Sequence, residues 1–150
     1  MFDTLKTLHV LAIATWFGSG AAITVMGIRA LKTGVAPFGS FIVNATAWAG
    51  RAHPAAGVVL LLTGFGMVAD RDYPLGEPWI VIAIVGLVAA MGIGGALIGR
   101  AAGELTDAVK EGEGVLPESK RGVADRMLLF TRVELTILVI VIADMVVKPG

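Results

Sequence analysis

Apolar residues fall along this chain in four long runs, each bounded by charged or helix-breaking positions. The first lies between Lys6 and Arg29, 22 residues in which His9 is the one ionisable side chain. Others run from Phe41 to Ala69, from Glu77 to Arg100, and from Met127 to Val147. Each meets the roughly 20 residues of helix that a hydrocarbon core demands. A backbone crossing lipid must satisfy its own hydrogen bonds, so these runs are expected to be helices rather than open strands. The expected helices cover about 5–31, 41–69, 78–111 and 124–147.

The third run continues as Glu104-Leu-Thr-Asp-Ala-Val-Lys110, an extension of the helix beyond the membrane. Gly112 and Gly114 should break it, and Pro117-Glu118 should open the next helix. The expected fold is all-α: one integral membrane four-helix bundle over 1–150, running up-down-up-down with both termini on the outer side. Asp3 stands ahead of the first run with no small-residue cleavage site behind it, so this segment reads as a retained helix, not a signal peptide.

Composition strengthens the membrane reading. The chain is 56% hydrophobic and 16% charged, with mean hydropathy +0.83, an apolar excess that a soluble domain could not hide. Twelve basic and twelve acidic residues cancel, leaving no global field to attract nucleic acid. The absence of cysteine closes disulfide, thiolate and iron-sulfur chemistry.

Position gives charge its meaning. Lys6, Arg71 and Lys148 flank one side of the expected bundle, and Arg29, Lys32, Arg100, Lys110, Lys120, Arg121 and Arg126 the other. The richer side should face the cytoplasm, which puts the loops between helices 1 and 2 and between helices 3 and 4 there, in a bacterial inner membrane. Phe2, Tyr73 and Trp79 would be aromatics of the outer interface. Gly86, Ala90 and Gly94 on the third helix, and Gly18 and Ala22 on the first, have the small-residue spacing that lets helices approach closely within the bundle or across a homodimer.

Ionisable groups inside a span are costly and normally face a partner. By depth they form two groups at ~1.5 Å of rise per residue. The outer group holds His9, Met67, Asp144 and Met145. The inner group holds Arg51, His53, Arg132 and Glu134, with Arg51 and Glu134 as the expected ion pair or proton relay. Two histidines suggest haem ligation, but His9 and His53 are offset by about 12–18 Å along the membrane normal at that rise. A single haem would use His9 with Met67 or Met145, or His53 with an open position, with Arg51 or Arg132 pairing a propionate. His9, Met67 and Met145 also form a donor set that would suit copper. Against these stand plainer roles: interhelical hydrogen bonds for the histidines, core filling for the methionines, a structural ion pair for Arg51 and Glu134. Pro54 is expected to bend helix 2 beside His53.

Three segments carry a family resemblance: Lys6-Thr-Leu-His-Val-Leu-Ala-Ile-Ala-Thr-Trp-Phe-Gly18, His53-Pro-Ala-Ala-Gly-Val-Val-Leu-Leu-Leu-Thr-Gly64, and Arg132-Val-Glu134 followed by an apolar run to Met145-Val-Val-Lys-Pro149. Together they resemble the superfamily of HemJ-type protoporphyrinogen oxidases, CopD-type copper-resistance proteins and uncharacterised predicted integral membrane proteins of bacteria. The resemblance implies haem b at His9. Two departures set the chain beside the uncharacterised branch: the run after Trp79 lacks that enzyme's lysine, and Val133 stands where it has an asparagine.

Three functions therefore remain open. The first is a non-catalytic, haem b-binding or accessory subunit of a membrane redox complex. The second is an oxidoreductase acting on protoporphyrinogen or a quinone-like substrate, with Arg51, Arg132 and Glu134 moving protons. The third is copper handling at the outer face.

Overall fold

A computed structural model describes residues 1–147, without the side chains of residues 35–37. Lys148 and Pro149, used above for orientation and for the resemblance, lie outside the described residues. Five α-helices follow in order: α1 (Phe2–Thr33), α2 (Val35–Asp70), α3 (Pro78–Gly92), α4 (Gly99–Glu111) and α5 (Arg121–Val147). A π-helical segment, Ile93–Ile98, joins α3 to α4 without a break, and a short 3-10 turn, Glu118–Lys120, leads into α5. The result is four long helical units and, among the described residues, no strand.

Three units are long and apolar enough to cross a membrane: Phe2–Thr33, Phe38–Asp70 and Pro78–Glu111. The fourth, α5, spans 27 residues, but Arg132, Glu134 and Asp144 interrupt its apolar stretch. Four spans were expected; length and composition alone support three.

Most boundaries follow from local chemistry. Pro78 opens α3 at its first turn, where a missing N–H costs nothing. Gly112 caps α4, and the Gly114 N–H bonds back to the Val109 carbonyl at 2.8 Å, turning the chain toward α5. The break between α1 and α2 is a single residue, Gly34, whose φ of 147° only glycine adopts readily. Sequence reasoning had allowed a loop of about ten residues there, between 31 and 41.

α1 and α2 pack with opposite chain direction: Leu5 lies against Gly66, Trp16 against Gly57 and Phe41 against Gly27. α5 lies against the third unit, with Val141 on Gly86 of α3 and Glu134 on Gly94 of the π-helical segment, and against α1, with Leu135 on Gly20 and Leu128 on Gly27. The small-residue spacing on the third helix thus serves packing within the bundle, since Ala90 is also fully buried. On α1 the expectation needs correction. Gly18 and Ala22 face outward, and the buried stripe is Gly20, Thr24 and Gly27, offset by two residues and therefore on nearly the opposite face of the helix.

Two cores result. At the polar end, α4 turns Leu105 and Val109 onto Phe38 and Ile42 of α2, with Leu116, Met127 and Leu128 closing the cluster. Nearer the other end, Trp16, Leu60, Ala90 and Leu138 form a second cluster. The outward surface is apolar, with Leu62, Val85, Val88 and Ile140 all more than half exposed, as lipid contact requires. Ion pairs among the described residues are confined to the polar end, the shortest being Lys120 to Glu104 at 2.7 Å. At the opposite end the Arg71 guanidinium lies 4.4 Å from the Phe2 ring centroid and Tyr73 meets Trp79 edge-on, so the three expected interface aromatics share one end.

Candidate functional site

Two histidine clasps join α1 to α2. His9 Nδ1 lies 2.9 Å from the Thr63 hydroxyl, and His53 Nε2 lies 2.9 Å from the Ser19 hydroxyl. Each hydroxyl already gives its single proton to its own helix, Thr63 to the Val59 carbonyl at 2.6 Å and Ser19 to the Thr15 carbonyl at 2.6 Å. Each must therefore accept from the imidazole. His9 donates through Nδ1 and keeps the Nε2 lone pair; His53 donates through Nε2 and keeps that of Nδ1. One histidine comes from each helix and one hydroxyl from the other, in reciprocal arrangement. Ser19 stands ten residues beyond His9, about 15 Å at helical rise, which matches the depth offset expected for the two histidines.

The inner group is rearranged. Arg51 and Glu134 do not pair: Arg51 is exposed on a shallow outward groove of α2 with Asn44 and Trp48, while Glu134 is 2% exposed inside the bundle. Arg132 also faces outward. In the outer group, Met67 and Met145 are half-buried, as is Asp144, whose Oδ2 has no hydrogen-bond partner. No cluster of three or more His, Asp or Glu able to hold a metal occurs among the described residues.

What the sequence did not announce is a cavity of about 430 Å³ between the helices, within the range of small-molecule sites. Four units line it: Trp16 and Gly20 of α1; Thr46, Gly50, His53 and Pro54 of α2; Met91, Gly94, Gly95 and Gly99 of the third unit; Thr131 and Glu134 of α5. Its width comes from glycines that contribute no side chain, and from the π-helical turn, where the Gly99 N–H reaches back to the Gly94 carbonyl five residues earlier. Such turns recur at functional sites. Pro54 has no N–H for the Gly50 carbonyl one turn earlier, which leaves an acceptor in the cavity wall.

The cavity opens sideways. α2 packs on α1 and α4 and barely touches α3, and the exposed lining residues are Gly50 and Pro54 of α2, Met91 of α3, Gly95 of the π-helical segment and Gly99 at the start of α4. The interior end is different. The His53 ring stacks on Trp16 with centroids 5.9 Å apart, and Trp48 meets His53 edge-on. The Trp16 indole faces the Glu134 carboxyl, yet Trp16 Nε1, Thr46 Oγ1 and Glu134 Oε1 are all buried without a hydrogen bond of ordinary geometry.

Among the described residues the walls hold neither lysine nor arginine. A haem in this cavity would find no cation for its propionates, so the expected pairing of His53 with Arg51 or Arg132 around one haem does not fit. His9 lies outside the cavity, and a ring nitrogen held by a second residue, here Nδ1 by Thr63, is what orients metal-ligating histidines.

Trp16, Ser19, Thr46 and Thr63 escaped the sequence reading. The clue for the hydroxyls was present, since Ser19 and Thr63 sit where an antiparallel helix pair would bring them opposite His53 and His9. The glycine density of Gly92-Ile-Gly-Gly-Ala-Leu-Ile-Gly99 was the clue for the cavity.

A family model described as "Predicted integral membrane protein (DUF2269)" matches residues 3–149. No curated protein and no solved structure matches the chain.

Proposed function

The chain belongs to the family of predicted integral membrane proteins whose model covers nearly all of it, and we propose that it is a membrane-embedded binding protein taking a neutral, largely apolar small molecule directly from the bilayer. The observation that carries this reading is the cavity open between α2 and the third helical unit, glycine-walled at its mouth and, among the described residues, without a cationic one. An apolar molecule gains from leaving water, and one already dissolved in lipid needs a sideways door rather than an aqueous channel.

In this reading all four helical units cross a bacterial inner membrane in up-down-up-down order, with both termini outside and the arginine-rich end in the cytoplasm. α5 joins the other three because its ionisable Glu134 is sheltered by Gly94 and Trp16 rather than by water. The role is accessory rather than catalytic. Arg51 and Arg132 stand outward at mid-helix, where a charge is costly unless a neighbour covers it, and this supports assembly with another subunit or a second copy.

Organic extraction of the detergent-purified protein, followed by mass spectrometry, should recover a neutral compound in roughly equimolar amount. Gly95→Leu, which puts a side chain into the mouth, should abolish its retention. Equal recovery from the two proteins would overturn the reading.

His9 supports a second reading, haem b or copper at the outer end. Its Nδ1–H is committed to Thr63, the kind of second-residue bond that orients a ligand histidine, and the motif resemblance to HemJ-type and CopD-type proteins points to the same residue. A haem there would need a covering face from another subunit, since His9 lines neither the cavity between the helices nor the groove at Arg51.

A further inference from the structure

Five buried side-chain polar atoms lack hydrogen-bond partners among the described residues, and three of them, Trp16 Nε1, Thr46 Oγ1 and Glu134 Oε1, belong to residues of the one cavity. Leaving such an atom unpaired costs the hydrogen bonds it made to water, so three together mark a place for a polar partner. Trp16 and Glu134 are each 2% exposed and lie side by side at the inner end, the indole close enough to act on the carboxyl but without a hydrogen bond of ordinary geometry between them. Their chemistry is complementary: an indole N–H only donates, a hydroxyl does both, and a carboxyl group accepts and, in its acid form, also donates. An oxygen atom seated in the cavity beside Trp16 and Glu134 would accept from the first and bond the second. The stacked Trp16 and His53 rings beside it supply a flat apolar wall.

Resting on the binding function above, we infer that the ligand is a quinone or quinol: a neutral ring bearing carbonyl or hydroxyl oxygens, on an apolar tail. The ring oxygen sits beside Trp16 and Glu134, the tail leaves through the mouth between α2 and the third helical unit, and Thr46 is the remaining polar group for a ring substituent. A dianionic tetrapyrrole is disfavoured by the lack of cations in the wall, and a plain hydrocarbon or acyl chain would leave the three polar atoms unpaired.

The test uses the full chain in nanodiscs and three probes of similar size: a decyl-benzoquinone, the corresponding quinol under anaerobic conditions, and decylbenzene. Isothermal titration should find the quinone or the quinol bound about tenfold or more tighter than decylbenzene, the ratio that one buried hydrogen bond provides. Trp16→Phe and Glu134→Leu should each remove most of that preference while leaving decylbenzene affinity nearly unchanged. Glu134→Gln, which restores a polar group, should recover part of it. Equal affinity for all three probes would overturn the quinone assignment and leave the apolar cavity standing. A preference that survives both Trp16→Phe and Glu134→Leu would overturn it as well. Binding of none of the probes, with Gly95→Leu indistinguishable from the parent, would bring down the cavity's binding role and this inference with it.

Discussion

Gly94 is packed so tightly on Glu134 that a β-carbon added to the glycine would stand 2.8 Å from the carboxyl oxygen. The contact joins the third helical unit to α5 and holds the carboxyl at the cavity wall. Gly94→Ala should therefore push aside the carboxyl, the far end of a flexible side chain with the cavity beside it, and lower stability by no more than about 1 kcal/mol, the low end of overpacking costs. Thermal unfolding in detergent checks this, and a loss well beyond that would mean that the carboxyl is fixed in place.

Glu134 itself is predicted to be bad for the fold. Glu134→Leu replaces a buried carboxyl whose Oε1 has no hydrogen bond of ordinary geometry by an apolar group of similar size, so it should be neutral or should stabilise the bundle by on the order of 1 kcal/mol. A residue kept at a cost to stability is the mark of a functional site. Denaturation of the variant reads the outcome; a loss of more than about 2 kcal/mol would mean that Glu134 is satisfied in the folded protein after all.

The clasps make a spectroscopic prediction. ¹⁵N chemical shifts of the imidazoles in neutral protein should report opposite tautomers, Nδ1–H for His9 and Nε2–H for His53. The same tautomer at both sites would refute the assignment of Thr63 and Ser19 as acceptors.

Energetically each clasp is modest. Interhelical hydrogen bonds in membranes average about 0.6 kcal/mol, with a maximum near 1.7, and double-mutant cycles over His9 with Thr63 and His53 with Ser19 should return coupling of that size. Coupling near zero would leave the two pairs as mere neighbours.

Haem at His9 is tested by colour. Protein purified from cells supplied with haem precursors should show a Soret band that His9→Ala abolishes and His53→Ala leaves intact. A colourless parent protein removes the haem reading and leaves the cavity reading untouched. Sidedness is tested by reporters at Lys110 and after Val147, which should fall on opposite sides; same-side reporters would contradict four crossings.

Hydropathy and helix punctuation marked the helical units within a few residues, except at Gly34, because apolar run length and glycine or proline chemistry are local properties of the chain. Depth was equally legible, since rise along a helix is constant: the two histidines are separated as expected, and Phe2, Tyr73 and Trp79 meet at one end. Direction around each helix was not legible. Residues two apart point about 200° away from each other, so Arg51 and His53, neighbours in sequence and depth, came to opposite faces, and Arg51 never reached Glu134. On α1 the same ambiguity favoured Gly18 and Ala22 over the Gly20, Thr24 and Gly27 stripe that is buried. Run length and depth are written in a single helix; the facing direction, and with it the cavity, emerges only when four helices settle their packing against one another.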